Sequence, residues 1–181
     1  MNHEIPADLR NGTLCQFGHP TRKHAYRLLA ELWLPFSPAQ IFPFFGDAAN
    51  LETLTPPFLH FHVITPQPIA MQQGTTIDYR LKLHGIPVSW RSKISAWEPP
   101  LRFVDEQLRG PYRFWHHEHT FIEQAGGTLV RDEIAYGVPG GAIVQRLFVG
   151  PDLRKIFAYR QKMMRQIFQA GSTLAITTTT D

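Results

Sequence analysis

The stretch from Tyr112 to Glu123 alternates two sets of side chains, with Trp115, His117, His119 and Phe121 on one face of a strand. Phe114, His116, Glu118, Thr120 and Ile122 occupy the other face. Histidine titrates near neutrality, accepts or donates at either ring nitrogen and pairs readily with carboxylates. Two histidines on one strand face therefore call for a carboxylate partner. The next stretch supplies one and also shows which face is inward. Val130, Ile134, Tyr136 and Val138 share their parity with Asp132, while Arg131 and Glu133 point away. A turn at Ala125-Gly126 sets Phe121 opposite Val130, His119 opposite Asp132 and His117 opposite Ile134. A second turn at Gly110-Pro111 brings Asp105 near Trp115 or His117, with Gln107 following on the same face. The expected inward group is Asp105, Gln107, His117, His119, Asp132 and Tyr136 in an otherwise apolar wall. A slip of a single residue would turn one strand's members outward.

This group admits four readings. The blandest is a satisfied histidine–aspartate hydrogen-bond network that fixes strand register. The second makes the same groups the polar anchor of a pocket, orienting a ligand carboxylate or hydroxyl. The third is general acid–base catalysis by His117, His119 and Asp132, with Asp132 or Asp105 orienting a histidine. A metal site is the least favoured. Histidines and carboxylates on strands suit zinc or iron, yet they follow no sharp ligand motif, and neither a metal nor another cofactor is expected. Arg160 lies on an apolar helical stripe. It either snorkels at the stripe's edge or pairs with Asp105, Asp132 or a ligand acid group. His60, His62 and His84 read as strand-surface residues, and Met163 and Met164 as fillers of core gaps. No Gly-x-Ser-x-Gly elbow and no phosphate-cradling loop is present.

The elements that must position these groups can be read from periodicity. Ala25 to Leu34 places Tyr26, Leu28, Ala30, Leu32 and Leu34 on one face, a strand closed by Pro35. Ser37 before Pro38 starts a short helix that Gly46 stops, and a second short helix covers Ala48 to Leu54. Strands follow at Phe58 to Thr65, Thr75 to Leu83, Ile86 to Glu98, Arg102 to Leu108, Tyr112 to Glu123 and Thr128 to Val138. Tyr79 lies on the apolar face of the second of these, and Val88, Trp90, Ile94 and Ala96 share a face in the third. A long helix then runs from about Ile143 to Ala170 and ends at Gly171. Its stripe carries Leu153, Ile156, Phe157, Arg160, Met164, Ile167 and Phe168 at i, i+3, i+4 spacing. The expected organisation is an irregular N-terminal arm over residues 1–24, one domain over 25–171 and a flexible tail over 172–181. Strand twist bends so long an antiparallel sheet, and a helix gripped by a bent sheet leaves a gap that side chains need not fill.

Composition narrows the class. Hydrophobic residues make up 43% of the 181 and charged residues 18%, a globular balance, and 13 Phe with 4 Trp suggest a wide apolar interior. The formal net charge is +3, but Lys and Arg are scattered, so no basic face for nucleic acid is expected. Cys15 is the single cysteine, which excludes an intramolecular disulfide and a Cys-x-x-Cys metal site. No stretch reads as a signal peptide or a stable membrane insertion, and a cytoplasmic location is the expectation.

The residues that carry a wider resemblance are Phe36-Ser-Pro-Ala-Gln-Ile-Phe-Pro-Phe-Phe45, Asn50-Leu-Glu-Thr-Leu-Thr-Pro-Pro57 and Phe103-Val-Asp-Glu-Gln107. To these are added Gly110-Pro-Tyr-Arg-Phe-Trp-His-His-Glu-His119, Asp132-Glu-Ile-Ala-Tyr136 and Ile156-Phe-Ala-Tyr-Arg160. Over about residues 25–170 the chain resembles the helix-grip superfamily (START and Bet v 1-like, or SRPBCC, proteins). It is most similar to the small bacterial branch of ligand-binding and polyketide cyclase/dehydrase-like members. The resemblance implies an α+β fold, a curved antiparallel sheet of six to seven strands around a long C-terminal helix, with two short helices closing one end. It also implies a hydrophobic-ligand cavity between sheet and helix, usually without a tightly held cofactor. Relatives of this branch also occur fused to nucleotide-sugar-epimerase-like domains, and this chain has no Gly-x-Gly-x-x-Gly run.

The expected ligand contacts are Asp105, Gln107, Trp115, His117, His119, Phe121, Asp132, Ile134, Tyr136, Trp90, Tyr79, Phe157 and Arg160. The expected function is binding or carrying a small hydrophobic molecule such as a lipid, isoprenoid or aromatic. A cyclase- or dehydratase-like enzyme using the same cluster is the alternative, as is an accessory domain serving a separately encoded enzyme. A homodimer is also compatible with the sequence.

Overall fold

A computed structural model describes residues 5–177. Eight strands form one antiparallel sheet: β1 (Thr13–Gly18), β2 (Ala25–Leu34), β3 (His62–Val63), β4 (Thr76–Leu83), β5 (Ile86–Glu98), β6 (Arg102–Arg109), β7 (Phe114–Gln124) and β8 (Gly127–Gly137). Their spatial order is β1-β2-β8-β7-β6-β5-β4-β3. Helix α1 (Ala7–Asn11) precedes β1, and α2 (Pro38–Phe45) follows β2. Helix α3 (Gly141–Val144) passes through a π-helical turn at Gln145–Val149 into the long α4 (Gly150–Thr177). This is the α+β, sheet-around-helix architecture expected from the element order.

The apolar alternation of β2 buries Leu28, Ala30, Leu32 and Leu34, each at most 2% exposed, on the face toward α4. One core cluster joins Leu32, Leu34, Phe121, Val130 and Met164 to the α2 residues Ile41, Phe42 and Phe45. A second joins Leu28, Trp115, Ile134, Tyr136 and Val138 to Leu153 and Phe157 of α4. At ~25 cal/mol per Å2 of apolar area, a fully buried side chain of this kind contributes about 1.5–3 kcal/mol. The stripe spacing on α4 is thereby converted into the force that holds the helix against the sheet.

Four expectations need correction. Within the expected arm 1–24, the described residues 5–24 are not irregular. They contain α1 and β1, with β1 paired along its length to β2 from Thr13↔Glu31 to Gly18↔Tyr26. An edge strand has one partner and little buried surface, so it carries no alternation for periodicity to detect. The arm is also tied to α4, since Gln161 Nε2 donates to Thr13 O at 2.8 Å and Gln16 Nε2 donates to Gly150 O at 3.1 Å. The strand expected over Phe58 to Thr65 is mostly a 3₁₀ turn at Pro57–Leu59, leaving a two-residue β3. Likewise the helix expected over Ala48 to Leu54 is a 3₁₀ turn at Ala48–Leu51. Finally, α4 continues through Gly171 to Thr177, because an interior glycine weakens a helix by about 1 kcal/mol without ending it. The remainder of the expected tail, 178–181, lies outside the described residues. Among the described residues, no helix is long and apolar enough to cross a membrane.

Candidate functional site

Two hairpins set the register of the site. The type of turn at Ala125-Gly126, with positive φ at both residues (49° and 75°), matches strand twist and locks β7 to β8. His119 then lies opposite Asp132, His117 opposite Ile134 and Phe121 opposite Val130. Across the other edge of β7, Asp105 of β6 pairs with His117 and Phe103 pairs with His119. Alternation sends Asp105, both histidines and Asp132 to the concave face. From the opposite side, α4 places Arg160 over the same spot.

The contacts are close and mutual. His119 Nε2 lies 3.0 Å from Asp105 Oδ2, and its Nδ1 lies 2.8 Å from Asp132 Oδ1. His117 Nε2 lies 3.1 Å from Asp132 Oδ1, and its Nδ1 lies 3.4 Å from Asp105 Oδ2. Arg160 Nε donates to Asp132 Oδ2 at 2.9 Å, and its guanidinium also sits 5.6 Å from the Phe45 ring centre. The two imidazoles overlap with ring centres 3.7 Å apart, and His119 stacks on Phe103 at 4.0 Å. Asp132 is 1% exposed and closed off behind the rings, whereas the Asp105 side chain keeps 20% of its surface open. Of the two readings of Arg160, the paired one is the one the structure shows.

Electrostatics follow from this arrangement. Burial raises the pKa of Asp132, but the Arg160 charge and the bonds to His117 and His119 outweigh it and hold the carboxyl well below its usual range. Burial likewise raises Asp105, and the His119 bond with the nearby charges of His117, His119 and Arg160 brings it down. His117 is lowered by burial and by the charge on His119. His119 is pushed down by burial, yet its bonds to Asp105 and Asp132 lift it above the ordinary histidine value. Two carboxylates thus face the Arg160 guanidinium and two imidazoles, His119 biased toward its charged form and His117 toward its neutral one.

The wall borders a cavity of about 200 Å3 between the inner face of the sheet, α4 and the segment from α2 to the 3₁₀ turns. Apolar and aromatic side chains dominate the lining, among them Ile77, Tyr79, Leu81, Trp90, Ile94 and Phe157. Of the residues expected to meet a ligand, Asp105, Trp115, His117, His119, Trp90, Tyr79, Phe157 and Arg160 border this space. Five do not. Phe121, Ile134 and Tyr136 are consumed by the packed core, at 2%, 0% and 0% exposure, and Asp132 lies behind the histidines. Gln107 is engaged with the backbone instead. Its amide donates to Tyr112 O at 2.8 Å and accepts from Tyr112 N at 3.3 Å, bracing the β6–β7 turn.

Other lining residues escaped the sequence reading. Ser92 is 2% exposed and receives the Trp90 indole N–H at 3.0 Å; its parity with Trp90 and Ile94 was a usable signal. Tyr112 lies in the turn before β7, where no periodicity speaks, and packs on Trp115 and Trp90 with ring centres 4.9 and 5.6 Å away. Burial raises the pKa of both Tyr79 and Tyr112, so neither phenol ionises readily. A register shift between Ile94 and Ala96 turns Trp97 inward in place of the expected Ala96. Trp97 then packs on Phe42 and Phe103 at 5.3 and 5.6 Å. His84 sits in the β4–β5 turn, not on a strand surface, and its Nε2 lies 2.7 Å from Asp152 Oδ2.

The fold and this lined hollow define the class: the chain has the helix-grip fold of START and Bet v 1-like proteins. No protein-family profile and no curated protein matches the sequence. Solved structures do share the fold. A ginseng major latex-like protein from Panax ginseng superposes with a TM-score of 0.59 at 9% identity, over 80% of this chain and 98% of that one. An aromatase/cyclase from a Streptomyces strain gives 0.58 at 12% identity, over 82% and 99%. A nucleoside-diphosphate sugar epimerase from Corynebacterium glutamicum gives 0.53 at 24% identity, over 76% of this chain and 28% of that one.

Proposed function

We propose that this protein binds a small, largely apolar molecule in the cavity and orients the molecule's polar group against Asp105, His117 and His119. The observation that carries this reading is the contrast between an aromatic and aliphatic lining and one ionisable wall. Apolar surface gives affinity without direction, and a few convergent polar groups supply orientation. At about 200 Å3 the cavity is a little larger than the ~150 Å3 that accommodates benzene. The size fits a substituted single ring or a short isoprenoid better than a two-chain lipid.

A second reading, acid–base catalysis on the bound molecule, is favoured by one specific observation. The two adjacent imidazoles are shifted in opposite directions, His119 up and His117 down. Adjacent groups driven apart in this way are suited to act as acid and base, and a protein of the same fold is an aromatase/cyclase.

Native mass spectrometry of freshly purified protein, followed by thermal-shift titration with single-ring aromatics and short isoprenoids, tests the first reading. A co-purifying molecule or saturable stabilisation is expected. Protein that is repeatedly empty and unresponsive across such a library refutes it. For catalysis, His119→Gln is expected to keep ligand affinity within a fewfold and to lose turnover.

A further inference from the structure

We propose that Asp105, His117 and His119 form a binding site for one divalent first-row transition-metal ion of the zinc or ferrous type, opening onto the cavity. Among the described residues these three offer ligand atoms that all lie within 4.8 Å of one another. Asp105 Oδ2 is 3.0 Å from His119 Nε2 and 3.4 Å from His117 Nδ1. Donors ~2.0–2.2 Å from a common ion stand about 2.8–3.1 Å from each other in a cis octahedral arrangement and about 3.3–3.6 Å in a tetrahedral one. The carboxylate therefore already stands at the separation from each imidazole that a shared ion requires.

The second support is the fate of the other nitrogens. A histidine that binds metal through one nitrogen characteristically donates the opposite N–H to a carboxylate or carbonyl, which fixes its tautomer and orientation. Here both opposite nitrogens face the same acceptor. Asp132 Oδ1 lies 2.8 Å from His119 Nδ1 and 3.1 Å from His117 Nε2. His119 Nε2 and His117 Nδ1 are the two nitrogens that converge on Asp105; an Arg160 N–H also lies 3.3 Å from His119 Nδ1, so an ion would displace the proton that His119 Nε2 shares with Asp105. Asp132 is in turn held by Arg160 through its other oxygen at 2.9 Å, so it orients the rings and remains behind them. Three donor atoms lie within 4.8 Å of one another, backed by a 1%-exposed orienting carboxylate.

Donor chemistry selects the ion. Two imidazoles and one carboxylate suit borderline ions such as Zn2+, Fe2+ and Co2+, whereas Ca2+ and Mg2+ require mostly oxygen. In the structure the donors bond one another. Seating an ion requires these mutual contacts to open, and Asp105, the most exposed of the three, has the most room to move. Three protein ligands leave coordination positions free on the side where the lining is open. A bound molecule's carboxylate, hydroxyl or enolate could occupy them, which places the ion at the polar end of the cavity. The metal site does not depend on that occupant.

The test uses the full chain, stripped with a chelator and titrated with Co2+ or Zn2+ alone. Co2+ is followed by its d–d absorption and Zn2+ by calorimetry. One saturable equivalent is expected, unmoved by millimolar Ca2+ or Mg2+. His117→Ala and Asp105→Asn are expected to weaken binding at least ~30-fold, and Asp132→Asn by ~10–100-fold. Asp105→Asn keeps the shape of the side chain and guards against simple misfolding, which circular dichroism checks for every variant. A His60→Gln/His62→Gln control at the surface is expected to change nothing. Absence of saturable binding overturns the proposal, and so does stoichiometric binding that survives in folded Asp105→Asn and His117→Ala. Apolar-ligand binding by the chelator-treated protein is scored separately, so the cavity reading and the metal site stand or fall independently.

Discussion

Replacing Arg160 with methionine isolates the group that couples the helix to the sheet. Methionine preserves most of the apolar stem and deletes the guanidinium, so the loss is mainly electrostatic. In the native protein, Arg160 Nε bonds Asp132 Oδ2 at 2.9 Å, and the two residues are 7% and 1% exposed. Removing one partner of a buried pair leaves an uncompensated charge and costs about 3–5 kcal/mol. For a chain of this size, ~2–4 °C of Tm per kcal/mol makes that a fall of about 6–20 °C. The double variant Arg160→Met/Asp132→Asn no longer carries the orphaned carboxylate. It is expected to be more stable than the sum of the single effects predicts, by up to ~3 kcal/mol of coupling. Urea unfolding of the four proteins, with slopes compared as well as midpoints, measures each contribution. If Arg160→Met costs less than ~1 kcal/mol, or the double variant equals the sum, the guanidinium spends its time in solvent and the reasoning fails.

Other predictions test the cavity and its frame. Leu81→Trp is expected to fill the space and abolish binding of single-ring ligands with no loss of secondary structure; undiminished affinity by thermal shift would refute the assigned location. Phe157→Ala removes a lining ring whose centre is 5.6 Å from that of His117, and it should cost about 3–5 kcal/mol in urea unfolding while admitting larger ligands. Trp90 and Trp115 lie with ring centres 5.4 Å apart on the cavity wall. Their replacement by Phe should erase a ligand-induced change in indole emission that Trp33→Phe leaves intact, as the Trp33 indole is bonded to Gln124 O elsewhere. Gly127→Ala should destabilise the β7–β8 turn by at least ~2 kcal/mol, because a Cβ there would stand 2.3 Å from Leu34 O.

Much of the site was legible in the sequence for a local reason. Short turns and parity together dictate which residues of β7 and β8 face each other, so His119 opposite Asp132 followed from spacing alone. The Gly110-Pro111 connection left open whether Asp105 meets Trp115 or His117, since a turn that spans residues 110–113 does not impose one register; the structure pairs it with His117. The helical stripe placed Arg160 toward the sheet but could not name its partner. That choice depends on how far α4 slides along the sheet, a matter of packing across more than twenty intervening residues.

Spacing was misleading where the needs of the backbone intrude. Gln107 has the right parity for the cavity, yet the unpaired peptide groups of Tyr112 claim its amide. The shift before Trp97 reverses parity in mid-strand, and no residue type announces it. The alternation of buried and exposed faces, the hairpin pairing of β6 through β8 and the long helix are written in the chain, because each depends on neighbours a few residues apart. Folding in three dimensions was needed to seal Asp132 behind the histidines while leaving Asp105 open, and to complete a hollow around them from β4, β5 and α4. Which side of a polar group faces space is set by the curvature of the whole sheet against the helix, and no local pattern encodes it.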